Sequence, residues 1–270
     1  MTTTTRISHP AIMIDGRLVP AEDPARVLLD DGLVRGDGVF EGMRLYGRAP
    51  RSPAEHLDRL ARSAEAVGLP IDRALLEDEL AAFCRATSRP ECGVRLIVTR
   101  SGQRLWREEP LAPRSSGLTV LPVEHRVTPL LVGAKTLSYA ANMQAMRRAR
   151  AAGCDDALFV RADDGVVLES PVAAFAWLEG DDLVFPPLEV GVLDSITRRI
   201  ARDAVPGRER PATLAELAGA RAAFVMSTVQ EIQPVAEIAG VARFDPADPA
   251  ATRVRETIRR AIAERVVPLS

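Results

Sequence analysis

Lysine is nearly missing from this chain of 270 residues: of thirty-five basic side chains, Lys135 alone is lysine. Arginine pairs with carboxylates and phosphates at any workable pH, but only a primary amine condenses with an aldehyde, so imine chemistry at a side chain is confined to Lys135. Cysteine is scarce as well. Cys84, Cys92 and Cys154 form an odd, scattered set that fits neither a disulfide framework nor metal-ligand spacing. The three histidines, His9, His56 and His125, lie far apart without the cysteine or carboxylate pattern of a zinc site, so no metal is expected. No apolar run is long enough to span a bilayer, and Met1 to Arg6 lacks the apolar core of a secretion signal, so a cytoplasmic location is expected. A large net charge is also lacking. At −2 overall, with arginine clusters at 147–150 and 253–260 spaced as solvated helix faces, the chain is no candidate for binding nucleic acid.

The composition that remains is that of a globular protein, 47% hydrophobic and 27% charged, with enough chain for two modest domains. Ala11 to Val19 reads as a hairpin around Asp15-Gly16, because that dipeptide supplies the positive φ of a tight turn. Val39 to Tyr46 is strand-like up to Gly47, and Ser52-Pro53 marks the cap and first turn of a helix running to Val67. Residues 72–87 continue as an amphipathic helix, and 93–100 and 118–123 as strands. A proline-containing polar stretch at 124–131 is the expected linker between a smaller α/β domain (1–123) and a larger domain (132–270) that carries Lys135. In that second half a helix from Tyr139 to Ala152 precedes short strands at 157–160, 166–168, 173–177 and 183–185, which predict an antiparallel meander. Helices are expected at 194–204 and 250–265, with a strand at 222–226 that delivers Ser227 and Thr228 at its end.

Six blocks of this chain carry a resemblance. They are Arg35 to Gly42, His56 to Leu60, Ala134 to Tyr139, Asp164 to Ser170, Gly191 to Arg198 and Ser227 to Val235. Their order and spacing resemble the fold-type IV pyridoxal-phosphate enzymes, the superfamily of class IV aminotransferases and 4-amino-4-deoxychorismate lyases. The resemblance implies a two-domain fold of the α+β kind, like that of D-amino-acid transaminases, and a homodimer.

It also implies roles, residue by residue. Lys135 would bind pyridoxal 5'-phosphate through a Schiff base and, once released, act as a base that must then be uncharged. Glu169 would pair with the protonated ring nitrogen. Arg59, the helix start at Ile196 and Thr197, and the hydroxyls of Ser227 and Thr228 would receive the phosphate, with Tyr139 beside the cofactor. Phe40, Arg95, Arg100 and Arg104 are the candidate substrate residues. The expected reaction moves an amino group between an amino acid and a 2-oxo acid. A lyase that forms 4-aminobenzoate and pyruvate is the alternative, and a non-catalytic cofactor-binding relative is the third reading. The spacing from Lys135 to Tyr139 resembles the D-amino-acid transaminases and lyases, whereas Phe40-Glu41-Gly42-Met43-Arg44 resembles the aminotransferases. Ala174 and Pro171 depart from the family pattern.

Overall fold

The structure is a computed structural model that describes residues 12–19 and 30–268. The chain divides into two compact units. The first holds the residues up to Leu111 together with Lys135–Leu137 and the chain end from Val266, and the second holds Ala112–Ala134 and Ser138–Arg265.

In the first unit the chain runs through β1 (Ile12–Ile14), β2 (Arg17–Val19), α1 (Asp31–Arg35), β3 (Gly38–Tyr46), β4 (Ala49–Pro50), α2 (Pro53–Ala66), α3 (Arg73–Ala86), β5 (Cys92–Thr99) and β6 (Arg104–Glu109). The strands form one antiparallel sheet in the order β2-β1-β6-β5-β3-β4. The expected hairpin is present, with Asp15 and Gly16 both at positive φ (49° and 74°). Ser52 does precede α2, but its own φ is 48° and its side chain makes no capping hydrogen bond, so Pro53 and the Ser52 carbonyl begin the helix. Strand β6 was not foreseen, because Arg104, Arg107, Glu108 and Glu109 give it a loop-like composition. It lies between β1 and β5 with its charges paired.

Alternation along β3 decides what each face carries. Val39, Met43 and Leu45 are fully buried in the core that α2 and α3 cover with Leu57, Leu60, Leu76, Leu80 and Phe83. Phe40, Gly42 and Arg44 belong to the other face. The lysine segment joins this sheet at β3: Val39 bridges Thr136, Phe40 N–H donates to the Lys135 carbonyl at 3.1 Å, and Leu137 N–H donates to the Gly38 carbonyl at 2.9 Å.

The second unit contains β7 (Leu118–His125), α4 (Ala140–Ala151), β8 (Asp156–Arg161), β9 (Ala174–Glu179), β10 (Asp182–Phe185), α5 (Ile196–Ala204), β11 (Gly207–Glu209), α6 (Leu214–Leu217), β12 (Ala222–Ser227), β13 (Glu231–Ile238), β14 (Ala242–Arg243) and α7 (Pro249–Ala263). Its sheet runs β11-β10-β9-β12-β13-β7-β8, with β14 on β13. The expected meander holds for β9 and β10, which are antiparallel. It fails at β8, which pairs in parallel with β7. The reason is the connection: α4 lies between the two strands, and a crossover containing a helix returns the chain in the same direction. Strand β7 therefore belongs to the second sheet, and the division falls ahead of it rather than at 124–131. Residues 166–168 make bridges and no strand of their own. After the turn at Gly165 (φ 75°), Val167 bridges back to Val160, and Phe159 N–H donates to the Glu169 carbonyl at 2.9 Å.

Candidate active site

Lys135 is fixed at both main-chain polar groups, since its N–H donates to Ser63 Oγ at 3.0 Å and its carbonyl accepts from Phe40. Its Nζ stands 4.2 Å from the centroid of the Phe40 ring, and Phe40 is itself only 4% exposed. Lys135 and Phe40, a candidate substrate residue, are thus together in the first unit, placed there by the short pairing with β3.

Arg59 is buried on α2, where a second feature appears that the sequence did not disclose. Glu41, at a core position of β3 and completely buried, accepts Arg59 Nε at 2.6 Å and Nη2 at 2.8 Å. His56, one helical turn before Arg59, places Nδ1 2.7 Å from the same carboxylate. Burial would raise the Glu41 pKa, but the Arg59 charge, then His56 and the hydrogen bonds, hold it well below the usual carboxylate range. Burial pushes the His56 imidazole down to about 4 although Glu41 pulls it up. His56 is accordingly neutral at pH 7, with its proton on Nδ1, and Arg59 and Glu41 form the charged pair. One signal was available: a glutamate at an apolar position of an alternating strand needs a cationic partner from whatever covers it.

The three candidate arginines separate. Arg95 lies on the Phe40 face, with its guanidinium carbon 5.0 Å from that ring's centroid. Arg104 has the opposite parity and pairs with Glu79 of α3 at 2.9 Å, beside Trp106. Arg100 lies past the end of β5 and ties Asp37 to the Val67 and Gly68 carbonyls. Both of these serve the packing of the unit. His9 lies outside the described residues.

In the second unit, Glu169 Oε1 accepts the Leu193 N–H at 2.9 Å, and Glu169 borders a crevice too narrow for water together with Leu168, Ala174, Phe175, Val192, Leu193 and Arg198. Pro171, beside it, accepts Tyr139 OH at 2.6 Å and Asn142 Nδ2 at 2.8 Å. Ser170 Oγ donates to buried Asp156 at 2.8 Å, which fixes the turn from below. Helix α5 begins at Ser195, whose side chain accepts the Arg198 N–H, and this places Ile196 and Thr197 in its first turn, both fully buried. Ser227 ends β12, where its Oγ accepts the Gln230 N–H, and Thr228 follows, 8% exposed. Among the described residues no cluster of histidine, cysteine or carboxylate side chains could hold a metal ion.

The sequence model of the family described as amino-transferase class IV matches residues 38–238, and the chain belongs to that family. Over 254 residues it is 30% identical to a protein assigned as a branched-chain-amino-acid aminotransferase in Methanocaldococcus jannaschii, an alignment covering 85% of this chain and 88% of that one. A D-alanine aminotransferase from Bacillus licheniformis is 25% identical over 253 residues, with the same coverage. Among solved structures, a hypothetical aminotransferase from Mycobacterium tuberculosis in its PLP-bound form superposes with a TM-score of 0.84 at 25% identity, covering 94% of this chain and 99% of that one. The fold is therefore fold-type IV, and the cofactor of the family is pyridoxal phosphate. The donors present suit that group in kind: one side-chain primary amine, a carboxylate held by a main-chain N–H, a helix start with a buried threonine, and strand-end hydroxyls.

Proposed function

We propose that the chain exchanges an amino group between an amino acid and a 2-oxo acid, with Lys135 binding the cofactor and moving the proton. The observation that supports this most is the setting of the one lysine, its main chain pinned by Ser63 and Phe40 and its amine against an aromatic ring. Pyridoxal phosphate, when bound, supplies an aldehyde and a ring that holds the electron pair left at the substrate Cα. Lys135 Nζ, once released, would take the proton from the substrate Cα and deliver it to the former aldehyde carbon of the cofactor, and the Phe40 ring would keep water from that amine. Glu169, anchored by the Leu193 N–H, keeps a proton on the ring nitrogen. Ile196 and Thr197, at the positive end of α5, join Ser227, Thr228 and Arg59 in holding the phosphate. Tyr139, held at the Pro171 carbonyl, lines the cofactor. The protein acts as a homodimer in the cytoplasm, a location that its free, buried cysteines support.

One preparation tests the reading. Borohydride reduction of the cofactor-loaded protein should leave the label on the Lys135 peptide, as read by mass spectrometry. Unreduced enzyme, mixed with a panel of D- and L-amino acids and no oxo acid, should lose its visible absorbance with at least one of them and regain it when a 2-oxo acid is added. If no amino acid shifts the spectrum while aminodeoxychorismate yields 4-aminobenzoate and pyruvate, the lyase reading replaces this one.

A further inference from the structure

The register of the first sheet sets Gly42, Arg95 and Arg107 side by side on one face, with Phe40, Ile97 and Leu105 in the row before them and Arg44, Gly93 and Glu109 in the row after. Gly42 lies inside β3, and nothing stands within 4 Å of where its Cβ would be. An interior strand glycine under open space is a place where a ligand can approach the backbone. Phe40, whose ring meets Lys135 Nζ, borders that space along the strand, and Arg95 borders it across the strand.

The Arg95 fork is already closed. Nε donates to Glu109 Oε1 at 2.7 Å and Nη2 to Oε2 at 3.0 Å, while Arg107 adds a contact to Oε1 at 2.7 Å. Gly93 leaves Glu109 uncrowded from its partner strand, because a Cβ there would stand 3.3 Å from the Glu109 Cβ. Burial raises the Glu109 pKa, but the hydrogen bond and charge of Arg95, followed by Arg107, bring it below the ordinary value, so the carboxylate is ionised at neutral pH. Bidentate pairs of this kind are strong and fix orientation.

We propose that Glu109 is a specificity-determining residue: it occupies Arg95 in place of a substrate's side-chain carboxylate, so the space over Gly42 takes amino acids with uncharged side chains. This deepens the aminotransferase reading and rests on it. A dicarboxylic substrate draws no advantage from Arg95, since its second carboxylate binds only by expelling an equivalent one and leaving Glu109 half-buried with Arg107 alone. An alkyl side chain meets the Phe40 ring and a pair whose charges cancel.

Glu109→Gln preserves the shape and removes the charge. Two quantities are read: kcat/KM for glutamate divided by that for norvaline, and the calorimetric affinities of glutarate and pentanoate. Both the ratio and the glutarate affinity should rise about tenfold, pentanoate should be unmoved, and the gains should vanish in the Arg95→Gln/Glu109→Gln double variant. Glu109→Ala gives the same readout if the glutamine variant does not fold. No gain in a folded variant overturns the proposal, and so does a gain that survives the loss of Arg95. If the wild-type enzyme transfers no amino group, the aminotransferase reading fails instead, and the glutarate affinities still decide the role of Glu109.

Discussion

Single side chains carry most of the chemistry here, and the pair Arg59–Glu41 shows how much depends on a partner. Removing one member of a buried ion pair leaves the other charged and unsolvated, at a cost of about 3–5 kcal/mol, whereas removing both together costs much less. Arg59→Ala should therefore lower Tm by on the order of 10 °C and weaken cofactor retention, which spectroscopic titration would read. Glu41→Leu/Arg59→Met should unfold at a higher temperature than either single variant. Additive losses in that double-mutant cycle would show that the two side chains do not depend on each other. Lys135, Arg59 and Glu169 are candidates in the sequence because each sits in a motif that carries its own spacing. Glu41, His56 and Glu109 could not be given their roles, because these depend on which helix covers which strand and on which strand lies beside β5. The substrate role expected of Arg100 and Arg104 rests on their closeness to Arg95 in the sequence. Proximity along the chain was visible, but the pleat that turns Arg104 toward α3 was not.

At the scale of elements, strand β8 shows what pattern alone misses. Its apolar run is plain, but its neighbour is not, because residues 118–123 read as a strand of the first half of the chain. Strand β13 was hidden by Pro234, and β6 by its charges. The first residue of β8 also offers a test of pH dependence. Asp156 is buried, accepts from Ser170 Oγ and the Ala157 N–H, and has its pKa pushed up to about 6, chiefly by burial. In the unfolded chain the same carboxyl titrates near its ordinary value of about 3.9. Between these two values the folded state binds more protons than the unfolded state, so this group's contribution to stability falls as pH rises from about 4 to 6, by about 3 kcal/mol in all. Asp156→Asn titrates nowhere in this range and escapes that loss, although it forfeits one acceptor at every pH. The Tm of the variant minus that of the wild type should thus be several degrees more favourable at pH 8 than at pH 4.5. A difference that does not change with pH would mean that Asp156 keeps an ordinary pKa in the folded protein.

For the whole molecule the open matter is assembly. The segment that leads from β7 to Lys135 presents apolar side chains to solvent: Leu130, in the middle of the short 3-10 turn at Pro129–Leu131, is 87% exposed, and Val132, just after it, is 48% exposed. Isolated exposed leucines are common, but two apolar side chains this close, in the segment that leads to Lys135, support their burial against a second copy of the chain. In a two-fold dimer each substitution occurs twice. Burying one leucine is worth about 1.5–3 kcal/mol, so Leu130→Glu should weaken the dimer by about 3–6 kcal/mol, or roughly a hundredfold to ten-thousandfold in Kd. Light scattering on dilution series of the two proteins reads this directly: the wild type should hold the dimer mass at concentrations where Leu130→Glu has become monomer. Circular dichroism should show the same fold content in both, because Leu130 belongs to no hydrophobic core cluster among the described residues. A dimer of unchanged affinity would remove this segment from the interface, and a wild-type protein that is monomeric throughout would remove the homodimer.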